Sequence, residues 1–560
     1  MHEIRRWLTA AALCTLIAFT SSPATAGEKD NSEVDAYILQ AEMALQRNDY
    51  LMAAQEYRKA AELSENPDVA RQATRVGMVY GFDREALIAA KRWYKLDRDS
   101  KEAQLYLGQL SFRVGDIRAA RRHFSELIET GKEESGEILI KLASFLSDEA
   151  HPEKADKLMR SLGRPYLDSA LANHAVAMMA LRAGDTEYAL ERSAKAIELD
   201  PDRLQSRLLY ARIMLADGDV DQAIEYTARI IGDDPDPDPD ARMELAIMYM
   251  MADREDDALS QVNQVLLEQS GRMDALRLMA IINFHKGHLD AAWDDFNDLL
   301  ASGQYRMDAL FYLGRIADFR EETDRAIRLY AEVMDGSNAV ASQTRAATLL
   351  AHKKDDLNGA LRQLDEFAEQ SPTNAVEVLS AKAQLLASVE NYDEALKLYD
   401  KVVSYQPDDE YSALGRSELL LRMGRLDEAL ESYSDAVRRW PKSAMALNAY
   451  GYTLADRTDR YREAEKLIRK ALRYDPESPA IIDSLGWVLF KLGRHEDALV
   501  ELERAYEGMQ DHEVAAHIVE TLVALGRRDE ALEWLVKAEE AKPDSPLLKD
   551  VRGRLFADDP

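Results

Sequence analysis

Few stretches of this sequence place reactive residue types at spacings that chemistry would use. His512-Glu513-Val514-Ala515-Ala516-His517 approaches the H-E-x-x-H zinc motif, in which two imidazoles share one helical face and a carboxylate acts as base. Here the histidines stand five apart, about 140° around a helix, so they do not converge on one ion. They read as two surface histidines. Residues 234–240 alternate Asp and Pro, as carboxylates alternate in a calcium loop. Pro239 stands where such a loop turns on glycine, however, and Leu245 where it needs a bidentate Glu. The stretch 233–240 therefore reads as a stiff acidic connection. The sequence holds no glycine-rich phosphate loop and no nucleophile elbow, and no Ser, His and Asp set converges. The expectation is a protein that is not an enzyme and takes no metal and no cofactor.

Composition narrows the class further. The chain has 560 residues, 46% of them hydrophobic, which is ample material for packed cores. Its 25 Gly and 16 Pro are about 7% of the chain, against about 12% in average usage, and that shortage of breakers favours helices. A formal net charge of −31 speaks against a sequence-independent nucleic-acid binder, which needs a basic face. Cys14 is the single cysteine, so no disulfide framework or thiolate cluster is possible.

The first 26 residues read as an export signal. Arg5 and Arg6 precede a short apolar run from Trp7 to Phe19, and Ala24-Thr25-Ala26 offers an A-x-A cleavage site before Gly27. The run is too short for a stop-transfer helix, and no later stretch approaches the length of a membrane span. A cysteine-free mature chain suits an oxidising compartment such as a bacterial periplasm. The alternative is an outer-membrane lipoprotein acylated at Cys14, but the bulky Leu13 before it departs from the Leu-small-small-Cys pattern.

The remainder is one repeat. Alanines at 53, 86, 120, 155, 189, 223, 258, 292, 326, 360, 395, 429, 464, 498 and 531 recur with a mean spacing of 34.1 residues. Twelve residues before each stands a small residue in nearly every case, such as Gly108, Ala177, Gly314 or Gly486. Four after it come large apolar groups, among them Tyr57, Phe124, Phe296, Tyr330, Tyr399 and Tyr433. Spacings of four and seven lie on one helical face. Gly115, Gly184, Gly218, Gly287, Gly424, Gly493 and Gly526 stand five before the alanine, where a helix ends in the left-handed conformation. Prolines twelve after it, such as Pro201 and Pro407, stop the second helix. The unit is helix, tight turn, helix. Ala189, Ala223, Ala292, Ala395, Ala429 and Ala498 are expected in the seam between paired helices.

At this period the chain resembles the tetratricopeptide-repeat (TPR) proteins. The resemblance implies an all-α superhelical solenoid of about fifteen repeats over 34–544. A short tail, 27–33, precedes it, and a capping helix and tail, 545–560, follow it. In this family the first helix of each repeat lines a concave groove. Counting from the alanines places Leu171, His174, Met178 and Leu181 there in repeat 5, and Gln205, Leu208, Arg212 and Leu215 in repeat 6. Met243, Ile247, Met250, Arg277, Ile281, Phe284, Phe311 and Arg315 follow in repeats 7 to 9. This apolar surface with spaced arginines suits a protein segment. The Lys/Asn clamp with which some members read chaperone tails is missing from these slots.

Repeats 13 and 14 carry a narrower resemblance. Asn448-Ala449-Tyr450-Gly451-Tyr452, followed by Ile482-Asp483-Ser484-Leu485-Gly486-Trp487, is similar to long TPR proteins of the proteobacterial cell envelope. These include the lipoprotein adaptor of a periplasmic carboxyl-terminal processing protease. That likeness implies a scaffold binding a protease and its cell-wall hydrolase substrates, with Tyr452, Asp483 and Trp487 as binding residues. A TPR scaffold of exopolysaccharide secretion, or of peptidoglycan or division assembly, is the alternative. The export reading predicts that purified mature protein begins at Gly27 and takes up no fatty-acid label. N-terminal sequencing after metabolic labelling checks both, and acyl label on Cys14 refutes the soluble form.

Overall fold

A computed structural model describes residues 31–557 other than 48, 132, 133 and 150. Cys14 and the Ala26–Gly27 cleavage site lie outside the described residues. Among the described residues there are thirty-one α-helices and no strand. Twenty-eight form fourteen antiparallel pairs, from Asn31–Gln46 with Tyr50–Leu63 to His512–Ala524 with Arg528–Ala541, and Met273–His285 and Leu289–Ser302 follow the seventh pair along the chain. The last helix, Pro546–Leu555, closes repeat 15: Leu548, Val551 and Phe556 are buried against Val519, Leu522 and Leu535. The all-α repeat architecture expected from the sequence is the one observed. No described helix is long and apolar enough to cross a membrane.

The seam between paired helices follows from side-chain size. All fifteen column alanines are completely buried, Ala189, Ala223, Ala292, Ala395, Ala429 and Ala498 among them. Opposite them the small column leaves space that the large residue four after the alanine fills. A Cβ on Gly108 would lie 2.2 Å from the Phe124 ring. On Gly314 it would lie 2.8 Å from Tyr330, and on Gly486 2.5 Å from Leu502. Such approaches have no room for a methyl group.

Where the glycine column is present, the turn within the pair is left-handed, as the sequence predicts. Gly115, Gly184, Gly218, Gly287, Gly424, Gly493 and Gly526 all have φ between 73° and 97°. Four repeats lack the glycine and bend the same way: Asp253, Glu321, Asp355 and Glu390 have φ of 53–61° at the equivalent position. Helix pairing therefore imposes the turn even on residues for which it is strained, at about 1–2 kcal/mol each. After the turn, Asp116 and Asp185 cap the second helix by accepting from the backbone N–H of Ala119 (3.0 Å) and Tyr188 (3.2 Å).

The chain forms two compact units, one ending at Ile282 and one beginning at Asn283. In the first, the largest core runs through repeats 3 to 5, around Phe124, Leu139, Leu142, Met159 and Met179. In the second, one core gathers Tyr433, Leu447, Tyr450, Ile468, Leu485 and Trp487, and another joins repeats 14 and 15 to the last helix. Gly108→Val should cost about 2–3 kcal/mol or more by forcing Phe124 out of its place. Hydrogen exchange should then quicken through residues 83–146 and stay unchanged at repeats 13 to 15, since repeats couple mainly to neighbours.

Candidate protein-binding surfaces

The residues expected to line a central groove do not share one environment. In the first unit, Met243 is buried among Ala246, Val262 and Ile282, so it stabilises its own repeat and offers a partner no contact area. Met250 packs half-buried on the same cluster. Ile247, by contrast, is 43% exposed. Arg277 and Ile281 are half-buried. Earlier in this unit His174 is buried with its Nδ1 3.0 Å from the Ser206 hydroxyl. Burial first, then Arg203 and Arg212, push its pKa down to about 4, so the ring stays neutral. The acidic stretch resolves into local bonding. Asp238 caps the helix Pro239–Met251, and Asp240 pairs with Arg272 at 2.5 Å.

In the second unit, Phe284 and Phe311 are half-buried and meet through Tyr312, whose ring centroid lies 5.3 Å and 5.1 Å from theirs. Phe296 stacks beneath Tyr312 at 4.8 Å and fixes it. The exposed Arg315 guanidinium lies 4.5 Å over the Phe284 ring, a cation–π contact that holds a positive charge beside an apolar surface. These groups come from the helices ending at His285 and running Arg306–Phe319, one repeat apart.

Repeats 13 to 15 form a second, polar arrangement. Asn448 and Asp483 each stand three residues before the glycine of their helices, Gly451 and Gly486, while Tyr452 and Trp487 each stand one after it. The register thus brings like positions of neighbouring helices, Ala444–Arg457 and Pro479–Lys491, to one face. Tyr452 donates to Glu513 at 2.7 Å. Burial, then that bond, raises its hydroxyl pKa far above the ordinary value. Asp483 and Trp487 are almost fully buried, 7% and 6% exposed. Asp483 pairs with His517 Nδ1 at 2.9 Å, and Trp487 stacks flat on the His517 ring at 4.1 Å. Phe490 covers the indole at 5.1 Å, and the Lys491 ammonium lies 4.5 Å from it. The indole Nε1 and the Asn448 Oδ1 are buried with no hydrogen-bond partner.

His517 therefore corrects the surface reading of the two histidines; only His512, beside Asp511 at 3.4 Å, is near solvent. The missed signal was the interval itself, since His517 follows Asp483 by 34 residues, one repeat period. Burial alone would lower the His517 pKa. The bond to Asp483, with the carboxylates of Asp483, Glu513 and Glu520, outweighs it and raises the pKa. The pKa values of two buried histidines thus move in opposite directions for want or presence of one carboxylate.

Antiparallel helix pairs recurring at a 34-residue period define an all-α helical-repeat protein, a class that generally serves as a protein-interaction scaffold. Specifically, the chain carries tetratricopeptide repeats. Family models of that repeat match residues 180–241, 215–282, 380–444, 414–458 and 454–550, and proteins built of such repeats are generally non-catalytic. The chain is 28% identical over 492 residues to a TPR repeat-containing protein of Pseudomonas aeruginosa, covering 86% of this chain and 81% of that one. It is 25% identical over 262 residues to cellulose synthase 2 operon protein C of Komagataeibacter xylinus, covering 43% of this chain and 20% of that one. Among solved structures, yeast Tom70 aligns over 94% of this chain and 96% of its own at 15% identity, with a TM-score of 0.35.

The Asp483–His517 pair makes stability pH-dependent. A histidine whose folded pKa is raised contributes stability that is complete below its unfolded pKa of about 6.5 and is lost as pH rises through the folded value. Thermal unfolding followed upward from about pH 6 should show this loss in the wild type and not in His517→Gln. Asp483→Asn, which removes the carboxylate that raises the His517 pKa, should lower stability by about 1–3 kcal/mol and abolish the same pH dependence.

Proposed function

We propose that the protein is an exported, non-catalytic periplasmic scaffold that holds a protein client on one surface and a carboxyl-terminal processing protease on another, so that cell-wall hydrolases are delivered for degradation. The observation that carries the client half is the Phe284–Tyr312–Phe311 surface beneath the exposed Arg315. An apolar side chain of a client segment gains contact area on the rings, and a neighbouring carboxylate meets the guanidinium. The likeness of repeats 13 and 14 to envelope adaptors supports the protease half. Holding both proteins on one chain raises the effective concentration of each at the other. If Cys14 is acylated, the same scaffold works at the outer membrane.

One observation favours a second reading. The similarity to cellulose synthase 2 operon protein C spans 43% of this chain, and it supports a TPR scaffold of exopolysaccharide export in which the bound proteins belong to the secretion apparatus.

Replacing Phe284 and Phe311 with Ser should weaken client binding by a few kcal/mol at most while the helical circular dichroism stays native. The measurement is turnover of a cell-wall hydrolase by the co-purifying protease, with wild-type and variant scaffold. Unchanged turnover with a native helical signal removes the aromatic surface as the client site. An envelope pull-down that holds polysaccharide-export proteins and no protease supports the second reading.

A further inference from the structure

The first unit carries a feature opposite in sign to the rest of the chain. Against a net charge of −31, residues 84–123 hold ten Lys or Arg and five Asp or Glu. The surplus gathers at an open cavity of about 480 Å³ between the helices Asp83–Leu96 and Ile117–Thr130. Its wall includes Lys91, Tyr94, Lys95, Arg98, Arg122 and His123. The one carboxylate among its lining residues, Glu126, already accepts from the Tyr94 hydroxyl at 3.2 Å. Arg98 lies over the Tyr94 ring at 5.0 Å. Lys91, Lys95 and Arg122 make no hydrogen bond or ion pair with any described residue, whereas Arg92 on the same helix is tied to the Ser64 carbonyl and to Glu65. Beneath them the His123 Nδ1 is buried without a partner.

We propose that this cavity docks an acidic segment of a protein partner, with carboxylates of the segment paired to Lys91, Lys95 and Arg122. Several cations held on two helices, none of them paired with a carboxylate among the described residues and only Glu126 sharing the cavity, form a preorganised anion site. The His123 ring supplies one further polar atom at its floor. Burial first, then Arg122, lowers the pKa of that ring, which leaves the Lys and Arg side chains as the cations that an arriving carboxylate meets. The volume falls within the range of pockets that enclose a few side chains, and Tyr94 and Leu107 give the stems of Asp and Glu an apolar wall. A concave, partly aromatic site suits a peptide better than a flat lipid surface. Nucleic acid, with a phosphate at every nucleotide, is repelled by the strongly negative remainder of the chain.

The test is fluorescence anisotropy of a labelled Glu- and Asp-rich peptide with the full mature chain. Lys91→Glu with Arg122→Glu should weaken binding at least tenfold, and Lys91→Gln with Arg122→Gln should weaken it in the same direction. Arg462→Glu with Lys466→Glu, an equal charge change at exposed positions of repeat 13, should leave affinity unchanged, and added salt should weaken binding by the wild type. An equal loss in the repeat 13 control overturns the proposal, as does peptide binding indifferent to the Lys91 and Arg122 substitutions. Tighter capture of anionic phospholipid vesicles or single-stranded DNA than of the peptide also overturns it, by assigning the cavity another occupant.

Discussion

Everything in this structure depends on how closely two helix backbones approach within a repeat. That distance is set by an alanine on one helix and a small residue on the other, and the large residue one turn further on fills what they leave open. The arrangement costs little side-chain entropy, because Ala and Gly have none to lose, and it buries the long side chains in fixed rotamers. Since the contact recurs every 34 residues, each pair presents nearly the same exposed face to its successor, and the chain extends by repetition of one local solution. No distant contact is needed to define a repeat.

Specificity is added on top of this seam by polar groups reaching from one repeat to the next. Gln109 and Arg113 of repeat 3 both bind Glu149 at the end of the first helix of repeat 4, at 2.7 Å and 3.0 Å. His174 and Ser206 join repeats 5 and 6, and Asp483 and His517 join repeats 14 and 15. Each such link includes a buried bond, so a slip of one helical position leaves a polar group without a partner, which costs more than the bond itself contributes. The apolar seam is tolerant of register and the polar links are not. Together they hold one stacking of the helices.

The repeat was legible in the sequence because its constraints are steric and therefore periodic: Ala429, Gly486 and Gly526 are read from residue type and phase alone. The binding faces were less legible. Met243 and Ile247 stand four apart and are both apolar, yet one is buried and the other open to solvent, because Met243 joins the cluster of Val262 and Ile282 and Ile247 does not. His517 was misjudged for a related reason. Its partner is a whole repeat away, and a motif sought within a few residues does not contain it. The basic cavity at repeats 2 and 3 was hidden by the net charge, which averages a local excess of Lys and Arg into a strongly acidic total.

The left-handed turns at Asp253, Glu321, Asp355 and Glu390 have an uneven distribution along the chain. Three of them fall in consecutive repeats, 9 to 11, whereas repeats 12, 14 and 15 turn on glycine. Each non-glycine turn stores about 1 kcal/mol or more of backbone strain that unpairing its helices releases. In a quasi-one-dimensional stack, where order propagates from neighbour to neighbour, a run of strained links acts as a built-in yield point. On that ground the second unit is expected to part first at repeats 9 to 11 under load or heat, before the capped C-terminal repeats. Within that unit the place where order would first give way is thus set by backbone conformation and not by the seam.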